Sequence, residues 1–175
     1  MSWSDALGRR HLLRLVLAAP LTALAGCGLR PLHAGSDGEA IDSELAAIAV
    51  TAPEDRLGQF LKNDLLDNLN PRGAVVDASY DLSIRLQRTR NALIIQLNDD
   101  ITRYDMVVVA FYELRRRSDG RVVYRSATRR SASYNQRRAP FATLVSQQNA
   151  EDRAAREISD FIRTQLALYF SRKPA

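Results

Sequence analysis

The chain has 175 residues, of which 46% are hydrophobic and 26% charged, and its formal charge is +5. That length supports one domain with a sizeable core; a single cysteine excludes an intramolecular disulfide, and one Cys with two His excludes a Cys/His zinc cluster. Of the 25 basic residues only Lys62 and Lys173 are lysines, a bias that a GC-rich genome produces and that also suits bidentate pairing with phosphate or carboxylate.

At the N-terminus, Arg9, Arg10 and Arg14 flank an apolar run through Leu12, Leu13 and residues 15–25. The run is too short for a stable transmembrane helix. Leu24-Ala25-Gly26-Cys27 closes it with small residues and a thiol, and resembles the lipobox of bacterial lipoproteins, cut just before Cys27. The alternative is an ordinary secretory signal with an incidental cysteine. Arg9-Arg10-His11-Leu12-Leu13 bears a faint likeness to a twin-arginine signal, so the general secretory and twin-arginine routes both stay open. Loss of residues 1–26, which hold three Arg and one Asp, leaves 149 residues with a formal charge of +3. Acyl chains on Cys27, palmitate among them, contribute about 0.8 kcal/mol per buried methylene, and more than one chain is needed for lasting attachment.

Residues 27–44, rich in Gly, Pro and small side chains, read as the lipidated cysteine and a flexible tether. A short strand then runs from Ile48 to Ala52 and stops at Pro53. From Asp55, a plausible N-cap, the period becomes helical: Leu57, Phe60, Leu61, Leu65 and Leu69 share one stripe, ended by Asn70-Pro71. Tyr80, Leu82, Ile84 and Leu86 alternate with polar residues and predict a half-buried strand, with an irregularity near Asn91. Asn98-Asp99-Asp100 marks a turn. A third strand over about 102–116 places Tyr104, Met106, Val108, Ala110, Tyr112 and Leu114 on one face. Its other face carries Val107, Val109 and Phe111, so the strand is central or its second face meets a partner. Ser118-Asp119-Gly120 predicts a hairpin turn into a fourth strand over 121–134. Arg137-Arg138-Ala139-Pro140 breaks the pattern before a final helix over about 142–171. The expected fold is α+β, with two helices packed on one face of a four-stranded mixed or antiparallel sheet in the order β-α-β-β-β-α. The domains are a signal peptide (1–26), the lipidated tether (27–44) and one α+β domain (45–172).

An active site is hard to find. His33, the one histidine left after cleavage, lies in the tether, and acylation of Cys27 removes the thiol nucleophile. Asp99 and Asp100, followed by Asp105 on the second face of the third strand, lack the alternating oxygen donors of a cation loop, and the Asp99-Asp100 pair reads as a solvated turn. No glycine-rich phosphate loop occurs. The sequence predicts no enzyme, no metal and no cofactor. Arginines on strands stand out instead: Arg85, Arg88 and Arg90, then Arg103, then Arg125, Arg129 and Arg130. Strands lie about 4.8 Å apart, so some must form a patch for an anionic lipid headgroup, or pair with acids on a solvated face. Nucleic acid is not the expected ligand, because no RNA-binding aromatic motif accompanies the charge. Arg88, Arg90, Arg103, Arg125, Val107, Val109 and Phe111 are the candidate contacts for lipid or partner.

Three motifs resemble one known family. Cys27-Gly28-Leu29-Arg30-Pro31-Leu32 is similar to the Cys-Gly-Phe-Arg-Pro-Leu opening of the lipopolysaccharide-assembly lipoprotein LptE in its alphaproteobacterial form, although His33 replaces the aromatic that commonly follows. The run from Asp55 to Leu65 resembles that family's first helix. Ser133-Tyr134-Asn135, Phe141-Ala142-Thr143-Leu144 and Asn149-Ala150-Glu151 resemble its approach to the last helix. The resemblance implies a non-enzymatic outer-membrane lipoprotein on the periplasmic side. It would plug and help assemble a lipopolysaccharide-export β-barrel, LptD, and assist delivery of lipopolysaccharide to the outer leaflet. The alternative is a freestanding periplasmic module that binds anionic lipid by itself.

Overall fold

The computed structural model describes residues 36–71, 73, 77–95, 101–136 and 138–172. The signal peptide, Cys27, the tether through residue 35, Asp99 and Asp100 lie outside them. Seven elements follow in chain order: α1 (Ser36–Ala46), β1 (Ile48–Thr51), α2 (Arg56–Leu69), β2 (Tyr80–Ile95), β3 (Ile101–Arg116), β4 (Val122–Asn135) and α3 (Pro140–Ser171).

Residues 36–44, expected as part of the tether, lie in helix α1. Only Ile41 and Leu45 in this segment are large apolar residues one turn apart, and both are buried, Leu45 almost completely. Gly, Ser and Asp make the segment a poor helix by propensity. Burial of those two side chains in the core holds it helical. Two apolar positions in eleven residues are too few for a periodic signal.

The remaining order is the expected one. The sheet runs β1-β2-β3-β4. β1 is parallel to the start of β2, from Ile48 opposite Tyr80 to Thr51 opposite Ser83, and the crossover between them is α2. β2, β3 and β4 are antiparallel neighbours. Register shifts on either side of Ile94 supply the irregularity expected near Asn91. Gly120, at φ 67°, turns the chain from β3 into β4.

Helix α2 starts where Asp55 accepts a hydrogen bond from the Gly58 N–H at 2.8 Å. Gly58 is required at that point: a Cβ there would lie 2.1 Å from the Pro53 carbonyl oxygen. The capping turn therefore folds directly onto the exit from β1. Leu57, Leu61, Leu65 and Leu69 face the core. Helix α3 runs back along β4, as Arg153 donating to the Ser133 carbonyl at 2.9 Å and the Tyr124–Tyr169 ring pair at 5.4 Å show at its two ends. Arg56 clamps α2 to α3, 2.8 Å from Glu151 and 2.7 Å from Asp152. Burial opposes its charge, but hydrogen bonds and charge from Asp152 and Glu151 outweigh this and hold its pKa above the usual arginine value. All the helices contribute to one core against one face of the sheet.

Candidate functional site: the open face of the sheet

Strand alternation divides the sheet residues by parity. Tyr80, Leu82 and Ile84 of β2, with Met106, Val108, Ala110, Tyr112 and Leu114 of β3, belong to the core on the helix side. The register carries the opposite face across three strands in rungs: Thr89–Val107–Ser131, Gln87–Val109–Arg129, Arg85–Phe111–Ala127 and Ser83–Glu113–Arg125. No described helix covers this face. Its central stripe is apolar, from Val107 through Val109 to Phe111, about 13 Å of strand. Val107 is 4% exposed yet lies outside the core cluster, and Phe111 is 36% exposed.

Arginines surround that stripe. Arg85 and Arg125 approach the same Glu113 oxygen at 3.8 and 3.0 Å, with side chains 79% and 68% exposed. Both keep most of their donors in solvent. Arg103 lies at one end of the same face, opposite Asn135 of β4. Arg129 is exposed beside Val109, without an ion pair among the described residues. Asp105 is on this face within β3, as the alternation of the third strand predicts, and Ser133 donates to it at 3.5 Å. The arrangement presents apolar surface with guanidinium forks at its rim, and such forks pair bidentately with phosphate or carboxylate.

The seven candidate contacts do not form one group. Arg103, Arg125, Val107, Val109 and Phe111 share the open face. Arg88 and Arg90 occupy the helix side, which corrects their placement in one patch with the others. Arg88 is 2.8 Å from Asp55, the N-cap of α2, and Arg90 stacks 4.8 Å above the Tyr104 ring, itself stacked on Tyr134 at 5.6 Å. Their parity matches that of Leu82, Ile84 and Leu86, so alternation alone already separates them from Arg103. Arg85 and Arg129, which stand out among the strand arginines but are not among the seven candidate contacts, also lie on the open face. For Arg85 the alternation of β2 is the signal. For Arg129 it is the β3–β4 register, which includes a shift between Leu114 and Arg115 that sequence does not display.

Among the described residues no helix is long and apolar enough to cross a membrane, and no three His, Cys, Asp or Glu side chains gather into a group that could hold a metal ion.

No family model and no curated protein matches the sequence. Solved structures share its fold. A candidate lipoprotein from Caulobacter crescentus aligns with a TM-score of 0.65 at 24% identity, over 77% of this chain and 98% of that one. Lipoprotein B from Nitrosomonas europaea aligns at 0.54 and 14% identity, over 71% and 84%. Rare lipoprotein B from Shewanella oneidensis aligns at 0.53 and 13% identity, over 69% and 92%. The chain has the fold of these lipoproteins.

Proposed function

We propose that this chain is a non-enzymatic, lipid-anchored outer-membrane protein that plugs and helps assemble an LptD-like β-barrel and assists lipopolysaccharide delivery to the outer leaflet. The observation that carries the reading is the open sheet face, an apolar stripe rimmed by Arg85, Arg103, Arg125 and Arg129 on a fold shared with rare lipoprotein B. The lipobox at Cys27 and the three LptE-like motifs support it. A plug needs a rigid body with a surface complementary to its barrel, and arginine pairs with phosphate without being buried deeply.

Co-purification tests the barrel. Tagged full-length protein extracted from membranes in mild detergent is expected to bring down one large β-barrel at near-equal amount, and recovery of intact protein alone would overturn the plug. Lipopolysaccharide binding tests the face. Arg103→Glu with Arg125→Glu is expected to weaken it by about tenfold or more, as reversal of two contacting charges does. Arg88→Glu with Arg90→Glu, on the other side of the sheet, serves as the comparison. Equal losses in the two double variants would remove the open face as the lipid contact.

A further inference from the structure

The two long edges of the sheet are finished differently. The Arg117 N–H donates to the Ser79 carbonyl, and the Tyr80 N–H to the Ala47 carbonyl. From Tyr80 onward, odd residues of β2 therefore address β3, and even residues address β1. β1 supplies partners only as far as Thr51 opposite Ser83. The next donor in that register is residue 53, and it is Pro53, which has no N–H. Beyond it the outward backbone groups of Leu86, Arg88 and Arg90 have no partner among the described residues.

At the far edge, the Arg116 N–H donates to the Arg121 carbonyl, so even residues of β3 address β4 and odd residues of β4 point outward. Two of those outward carbonyls are already taken. Arg130 donates to Arg129 O at 2.8 Å and Arg153 to Ser133 O at 2.9 Å. Guanidinium groups thus interrupt the edge of β4 at residues 129 and 133, whereas no described side chain takes a backbone group of β2 from Leu86 to Arg90.

The open edge has its own shape and charge. A depression of about 600 Å³ beside it is lined by Pro53, Arg85, Leu86, Gln87 and Phe111. Arg85 is on the open face and Arg90 on the helix side, where Arg88 is already paired with Asp55, so positive charge flanks the edge above and below through Arg85 and Arg90. A second copy of the chain pairing edge to edge would set these arginines against one another. We propose that β2 takes an extended, acidic segment of a partner protein as an added strand. The backbone of Leu86, Arg88 and Arg90 holds it, carboxylates meet Arg85 and Arg90, and one large apolar side chain fills the depression. This site does not depend on the plug reading, and either can fail alone.

The test uses full-length protein in mild detergent and a capped peptide of alternating Glu and Val with a central Phe, followed by amide hydrogen exchange. Binding is expected to slow exchange of the Arg88 and Arg90 amides. A peptide of the same sequence, N-methylated along one edge, keeps its charge but loses donors and is expected to bind at least about tenfold more weakly. Arg85→Glu with Arg90→Glu is expected to produce a similar loss. Equal binding of the N-methylated peptide, protection confined to other strands, or no binding at millimolar peptide would each overturn the proposal. So would slow exchange at Arg88 and Arg90 before any peptide is added, whether sedimentation then finds a dimer or a monomer whose own residues N-terminal to α1 fill the edge.

Discussion

Along β3 the same backbone serves two faces. Val108, Ala110, Tyr112 and Leu114 are 0% exposed against the helices, while Val107, Val109 and Phe111, interleaved with them, form a stripe that no described element covers. Hydrophobicity alone does not distinguish the rows; the presence of a covering layer does. Apolar residues on the helix side are held by packing; on the other side Val107 is also buried, at 4% exposed, while Val109 is half-buried and Phe111, 36% exposed, keeps surface for something outside the chain. Leu114→Ala therefore tests the first half of the contrast. It removes a fully buried side chain and is expected to cost about 2–5 kcal/mol in urea unfolding. Phe111→Ala is expected to cost under about 1 kcal/mol, because the ring is already well exposed, while weakening barrel recovery or lipid binding. Equal losses of stability from both changes would show that the open face is structural.

Tyr112 sharpens the contrast. Its hydroxyl is buried beside Ser126 and Tyr124 and makes no well-formed hydrogen bond among the described residues, and desolvation pushes its pKa up to about 12. The folded state therefore disfavours the phenolate. This contribution is fully present below the unfolded pKa near 10 and is lost as pH rises toward 12, about 2–3 kcal/mol in all. Tyr112→Phe removes both the orphaned hydroxyl and the titration. It is expected to be neutral or stabilising by about 1 kcal/mol at pH 7 and to flatten the alkaline fall in stability. An unchanged pH profile would assign that fall to other groups.

The contrast also explains what the sequence displayed. Two-residue alternation in β2 and β3, the Asp55 cap and the stripe of α2 are local patterns, and the fold follows from them. Helix α1 is not local: Ile41 and Leu45 are helical because α2 and α3 provide the core they enter. The candidate site was half legible. Parity separates Arg103 and Arg85 from Arg88 and Arg90. Which arginine of β4 stands beside Val109 depends on how the hairpin bulges near Leu114, a tertiary outcome. Blunting of the β4 edge depends on Arg153, 20 residues beyond the carbonyl it satisfies, and no sequence pattern announces that.

The smallest effect isolates charge on the open face from packing. Glu113 is the acid between Arg85 and Arg125, and both arginines are largely solvated. Glu113→Gln preserves shape and removes one negative charge. Stability is expected to change by less than about 1 kcal/mol, since exposed ion pairs contribute little. If an anionic headgroup binds at this rim, freeing two guanidinium groups raises its affinity. The expected gain in lipopolysaccharide binding is about two- to fivefold at low salt, fading as ionic strength rises. A gain that persists in high salt would point to repacking around Phe111 instead of charge, and a loss of affinity would mean that Glu113 orients the arginines for their ligand and does not merely compete with it.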